Sequence, residues 1–132
     1  HTSLGLLARL LRDADKLDIC SLMIDYFSAD REKPAFIRLD AVEHPENYTP
    51  HVLDCLRQGR MASYEYLRWS NDMKLLILSW VYDVNLTATA RAFLERDYVG
   101  RMAALLPRVR EIDEVIDSLR AELERRASGL TP

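Results

Sequence analysis

The sequence predicts an all-α fold, a helical bundle of about six helices in a single domain. Three observations lead to this prediction. Apolar residues recur every three or four positions along most of the chain, whereas no stretch alternates strongly enough to form a sheet. Helix-capping and helix-breaking residues divide these periodic stretches. With 132 residues, 48% hydrophobic and 30% charged, the chain is long enough to bury one core.

The first helix is expected over residues 3–27, with Thr2 or Ser3 as its N-cap. Residues 28–48 contain two prolines and a charged tract, so we interpret them as a surface loop in which 35–39 could form a short extended piece. A loop of this length is unusual unless it has a function. The simpler alternative is a connector that also shields the first helix.

The later helices follow from the same rules. Thr49 and Pro50 are a good helix start, Gly59 is a good helix end, and a short helical turn is expected in the linker over 60–69. The further helices are expected at about 50–58, at 70–83 with Ser70 as N-cap, from Asn85 or Thr87 to 95, at 97–106 and at 108–127, with a frayed tail over 128–132.

The last of these helices carries an apolar seam with alternating spacings of three and four residues. Its members are Val109, Ile112, Ile116, Leu119 and Leu123. The seam is too short to predict a coiled coil, so we expect the helix to pack on the core. The alternative is that it forms a homodimer.

Residues 6–19 are the most informative stretch for function. On a helical projection Asp15 lies at the centre of an apolar stripe, within about 40° of every member. The members are Leu4, Ala8, Leu11, Ile19, Leu22 and Tyr26. Because this helix is apolar around much of its circumference, we expect it to be central and buried. A carboxylate in such a stripe is costly unless a cation or hydrogen-bond donors meet it, so Asp15 is a candidate metal-binding or catalytic residue.

The run over residues 12–18, Arg-Asp-Ala-Asp-Lys-Leu-Asp, resembles the last metal-ligand motif of the HD-domain superfamily of metal-dependent phosphohydrolases. Residues 78–85, Leu-Ser-Trp-Val-Tyr-Asp-Val-Asn, and 95–98, Glu-Arg-Asp-Tyr, resemble the C-terminal half of small stand-alone bacterial members. The similarity covers most of residues 6–125. It implies an HD-domain-like helical fold and a site where a His, a His-Asp dipeptide and a later Asp bind a divalent metal.

One departure from the family pattern is the absence of any His-Asp dipeptide. The N-terminal part of an HD domain is therefore expected to be missing, and the chain alone is expected to be inactive, because one carboxylate cannot retain a catalytic ion. The start at His1 without a Met leads to the same expectation of a fragment or of residues missing before His1. His44 and His51 have no ligand-like spacing and are interpreted as surface residues.

The resemblance implies roles for individual residues of the first helix. Asp15 is the late Asp of the motif and binds the metal, with Asp13 as a weaker metal candidate that pairs with a neighbouring cation. Asp15 and Asp18 are the candidate catalytic residues, Asp18 acting through water or by orienting a ligand. Lys16 and Arg12 could bind the substrate phosphate, although such residues on a helix surface are usually solvated.

The helix expected over 70–83 has a narrow polar seam that includes Asp72 and Asp83. One interpretation is that these two carboxylates pack around the metal-binding helix and orient it without binding the metal themselves. The alternative is that Asp72 stabilises its own helix N-terminus and Asp83 caps the next helix.

The cofactor implied is a divalent metal ion (Mn, Mg, Fe, Ni or Zn), and the substrate a phosphomonoester or nucleotide. The net charge of −3 gives no electrostatic reason to expect a nucleic-acid polymer or a membrane as partner. The two cysteines, without ligand-like spacing, suit a cytoplasmic protein.

The competing hypothesis is a non-catalytic all-α interaction or oligomerisation domain. In that case the acidic residues of the first helix form a buried ion-pair network with Arg9, Arg12 and Lys16, and the last helix binds a partner.

Overall fold

The fold is described by a computed structural model over residues 3–29 and 42–129. It is all-α, with six α-helices in these residues, and the predicted fold class is confirmed. The helices are α1 (Ser3–Ser28), α2 (Pro50–Arg57), α3 (Ser70–Ser79), α4 (Thr87–Glu95), α5 (Tyr98–Ala103) and α6 (Arg110–Ala127). Two short 3-10 helices, Tyr64–Tyr66 and Trp80–Asp83, lie before and after α3.

The helix expected over 70–83 differs from its prediction at both ends. Trp69, not Ser70, is the N-cap, and its backbone N–H donates to the Asp72 carboxylate at 3.0 Å. At the other end the α-helix stops at Ser79, and the chain continues as the 3-10 helix Trp80–Asp83. The short helical turn expected in the linker is confirmed as Tyr64–Tyr66.

The segment interpreted as a loop is described only in part. Residues 30–41, including the proposed extended piece at 35–39, lie outside the described residues. Val42 forms an isolated parallel bridge with Trp69, in which the Val42 N–H donates to the Arg68 carbonyl and the Ser70 N–H donates to the Val42 carbonyl, both at 2.9 Å. This bridge holds the chain entering α2 against the chain entering α3.

Helix α6 packs along α4 and supplies much of the core. Ile112, Ile116, Leu119 and Leu123 are all buried, so the prediction that this seam packs on the core is confirmed. These side chains already pack within the domain, and the alternative that the last helix binds a partner remains a prediction.

The side of helix α1 that faces the core is opposite to the side that was expected to be buried. Its buried residues are Asp13, Lys16, Cys20, Met23 and Ile24. Leu4, Leu11 and Leu22 are 76%, 58% and 52% exposed, and Asp15 is exposed with them. The prediction that the stripe around Asp15 is buried is wrong. The physical reason is that Asp13 and Lys16 find partners inside the protein, so the side that looked more polar on the projection can be buried.

Candidate functional site

Asp13 joins α1 to the start of α4. Its carboxylate is 1% exposed and accepts hydrogen bonds from the Asn85 backbone N–H at 3.1 Å, the Asn85 side-chain amide at 3.0 Å and the Leu86 N–H at 2.9 Å. The first N–H groups of a helix lack intrahelical partners. Asp13 therefore stabilises the chain entering α4 from another helix, as a cap residue would.

These contacts set the charge state of Asp13. Burial by itself raises the pKa of the carboxyl group, but hydrogen bonds from the side chains of Thr89 and Asn85 and from the backbone N–H groups of Asn85 and Leu86 outweigh it. The net result is a pKa below the usual value of 3.8. Asp13 is thus an ionised, structural carboxylate whose oxygens are bound by donors of the protein itself.

Two basic residues of α1, Arg12 and Lys16, pair with Asp83. Lys16 Nζ lies 3.0 Å from Asp83 Oδ2 and 3.7 Å from Asp13 Oδ1, and it is buried. Arg12 Nη2 lies 3.5 Å from the same Asp83 oxygen, while most of its side chain is exposed. The hypothesis of a buried ion-pair network is thus confirmed for Asp13 and Lys16. Asp83 contributes the second carboxylate of the network, and Asp15 and Asp18 lie outside it.

Asp72 acts elsewhere in the fold. It is fully buried, and its carboxylate accepts hydrogen bonds from the Thr49 N–H and Thr49 Oγ1, each at 2.6 Å, from the Arg68 N–H at 2.9 Å and from the Trp69 N–H. The interpretation that Asp72 stabilises its own helix N-terminus agrees with this arrangement. Asp72 also joins the start of α2 to the start of α3.

Asp15 and Asp18 lie on the uncovered side of α1. Within the described residues neither side chain forms a hydrogen bond or ion pair. Asp15 is surrounded by exposed apolar residues on one helix face, which we call the Asp15 face. It consists of Leu4, Ala8, Leu11, Asp15, Ile19 and Leu22. A continuous apolar stripe at a surface is typical of a site that contacts another molecule or segment.

A divalent metal does not fit the described residues by themselves. Over residues 3–29 and 42–129, no group of three or more His, Cys, Asp or Glu side chains is placed to hold an ion. His44 accepts hydrogen bonds at Nδ1 from the Glu46 and Asn47 N–H groups, and His51 packs against Tyr66. Asp15 and Asp18 could supply oxygen ligands from one helix, but a complete coordination shell needs further donors.

Sequence reasoning missed Asn85 and Thr89 as the partners of Asp13. Asn85 is one of the two residues expected to start α4, and a helix start without a side-chain cap indicates that a side chain from elsewhere must meet its N–H groups. The signal does not say which side chain does so, because Asp13 and Asn85 lie 72 residues apart in the chain.

Neither a family model, nor a curated protein, nor a solved structure matches this chain. The similarity to HD-domain proteins remains a prediction that rests on the motifs at 12–18, 78–85 and 95–98. In the part of the chain that the structure describes, no helix is both long and apolar enough to cross a membrane.

Proposed function

We propose that this chain carries the late aspartate of an HD-type, metal-dependent phosphohydrolase that acts on a phosphomonoester or nucleotide. The observation that supports the proposal is the position of Asp15, exposed and without a side-chain partner in the described residues, at the centre of an apolar face. The proposal assigns the remaining metal ligands to polypeptide that covers the Asp15 face. It assigns no metal-binding role to Asp13, whose oxygens are already bound.

Contacts on the other side of α1 hold the helix that carries Asp15 in a fixed position. Asp13 and Lys16, on the opposite side of the same helical turns, attach α1 to Asn85, Leu86 and Asp83. Asp18 lies one turn beyond Asp15 on the uncovered side, where it could orient a ligand. Arg12 is the basic residue better placed to meet a phosphate, because Lys16 is buried in its ion pairs.

The proposal also places the protein in the cytoplasm. Cys20 and Cys55 are both buried free thiols. Burial raises the pKa of the Cys20 thiol to about 12, so this residue stays protonated and unreactive. Free, inert thiols are typical of proteins in reducing compartments.

The test is made on the protein purified from its natural host with any polypeptide that accompanies this chain. We expect bound divalent metal by elemental analysis and metal-dependent hydrolysis of p-nitrophenyl phosphate or nucleotides. Asp15→Ala should reduce turnover at least about 100-fold, because it removes a metal ligand. The matched control is Asp25→Ala, an exposed aspartate of the same helix, which should keep full activity. Near-wild-type turnover of Asp15→Ala would reject the assignment.

A second candidate function is a non-catalytic interaction or oligomerisation domain. It is favoured by the first turns of α1, where Leu6, Leu7 and Leu10 are exposed in addition to the Asp15 face. Under this alternative, a second copy of the chain packs against the exposed side of α1. Sedimentation equilibrium should then give a dimer that Leu11→Glu dissociates, and elemental analysis should find no bound metal. Such a result would replace the hydrolase proposal with this one.

A further inference from the structure

A cleft of about 430 Å³ lies between the start of α2 and the chain entering α3, and we call it the aromatic cleft. Its volume falls within the range of roughly 300–1,000 Å³ that is usual for small-molecule sites. Four rings and two charged side chains form most of its lining. These residues are Tyr48, His51, Tyr66, Trp69, Glu65 and Arg68.

The two walls of the aromatic cleft are held at a fixed separation by Asp72. This buried carboxylate binds the backbone and hydroxyl of Thr49 in one wall, and the backbone N–H groups of Arg68 and Trp69 in the other. The Val42 bridge to residues on either side of Trp69 adds backbone hydrogen bonds to the second wall. A cleft whose walls are fixed before binding loses little conformational entropy when a ligand enters.

The rings favour a flat ligand. The His51 and Tyr66 ring centroids are 4.0 Å apart, and the His44 and Trp69 rings form an edge-to-face pair with centroids 5.6 Å apart. Ring packing of this kind restrains the side chains that would contact a ligand. Stacking of a nucleobase on a protein aromatic ring contributes about 1–3 kcal/mol, so several lining rings can retain a planar base.

The charged residues of the cleft select among planar ligands. The Arg68 guanidinium can donate hydrogen bonds to a ligand and the Glu65 carboxylate can accept them, and both residues are exposed. Guanine presents two neighbouring acceptors, O6 and N7, that match an arginine fork, and an N2 amino donor that matches a carboxylate. Adenine offers no acceptor at the position of O6.

We propose that the aromatic cleft binds a guanine base, stacked against its rings, with Arg68 donating to O6 and N7 and Glu65 accepting from the N2 amino group. This site is built from residues 48–69, shares no residue with the Asp15 face, and does not depend on the proposed hydrolase.

The test uses the purified chain and guanosine as the probe. In a Trp80→Phe background Trp69 is the only tryptophan, and guanosine is expected to quench its fluorescence saturably. Isothermal titration of the unaltered chain checks that the Trp80 change leaves binding intact. Tyr66→Ala should weaken binding about 5- to 150-fold, as expected for loss of one stacking ring.

The matched control is Tyr64→Ala. Tyr64 belongs to the same 3-10 helix and is 63% exposed, but it does not line the cleft. The Tyr64→Ala variant should therefore bind guanosine with the affinity of the unaltered chain. Glu65→Gln should reduce the preference for guanosine over inosine, which lacks the N2 amino group. The proposal is overturned by an absence of saturable binding up to the solubility of guanosine, by equal losses in the two tyrosine variants, or by equal affinity for adenosine.

Discussion

Asp13→Ala is expected to lower the free energy of unfolding by about 3–5 kcal/mol, the range for removal of one partner from a buried charge pair. The change leaves the Asn85 and Leu86 N–H groups without their acceptor and removes one of the two carboxylates around Lys16. Urea denaturation of the wild type and the variant measures the difference.

The matched control is Asp15→Ala, two residues further along the same helix. Because Asp15 is exposed and has no side-chain partner in the described residues, its loss should change stability by no more than about 0.5 kcal/mol. Equal losses in the two variants would show that Asp13 does not anchor α1 to α4.

The lowered pKa of Asp13 makes part of this stability depend on pH. A carboxyl group with a folded-state pKa below its unfolded value stabilises the fold fully above the unfolded pKa, here near 3.8. The contribution disappears as the pH falls through the folded-state value. Asp13→Asn should therefore show a shallower loss of stability below about pH 4 than the wild type. Parallel acid profiles would contradict the assignment of this effect to Asp13.

Asp72→Ala is expected to cost at least about 3 kcal/mol of stability, since it leaves buried N–H groups without an acceptor. Its donors come from Thr49, Arg68 and Trp69, so the starts of α2 and α3 should separate together. Amide hydrogen exchange should show faster exchange at both helix starts in the variant. Asp72→Asn should lose less stability than Asp72→Ala, because one acceptor oxygen remains.

A suitable comparison is Asp113→Ala, which removes an exposed carboxylate from the first turn of α6. An interaction with the helix dipole alone contributes about 0.3–1 kcal/mol. If Asp72→Ala cost no more than this control, the hydrogen bonds between the two helix starts would contribute no stability of their own.

Most helix boundaries could be predicted from local signals. Thr49 is the N-cap of α2, Pro50 is its first residue and Gly59 follows it, and the seam of α6 packs on the core as predicted. The orientation of α1 could not be predicted in this way. Leucines occur on several of its faces, so hydrophobic periodicity did not distinguish the covered side from the exposed one.

The candidate site shows the same division. Asp15 was singled out by its apolar neighbours, and these neighbours do share its helix face, but the face is exposed. The burial of Asp13 depends on donors at Asn85 and Leu86, which no local pattern connects with α1. The aromatic cleft likewise requires residues from α2 and from the linker before α3 to meet.

The amino-acid sequence by itself determined the all-α class and the approximate positions of the helices, because caps, prolines and hydrophobic periodicity act over a few residues. Only the tertiary structure decided which carboxylates are buried and which are exposed. The physical reason is that a buried charge is stable only where donors or cations from other elements meet it. For Asp13 and Asp72 those donors come from other parts of the chain, whereas Asp15 has no such contact in the described residues.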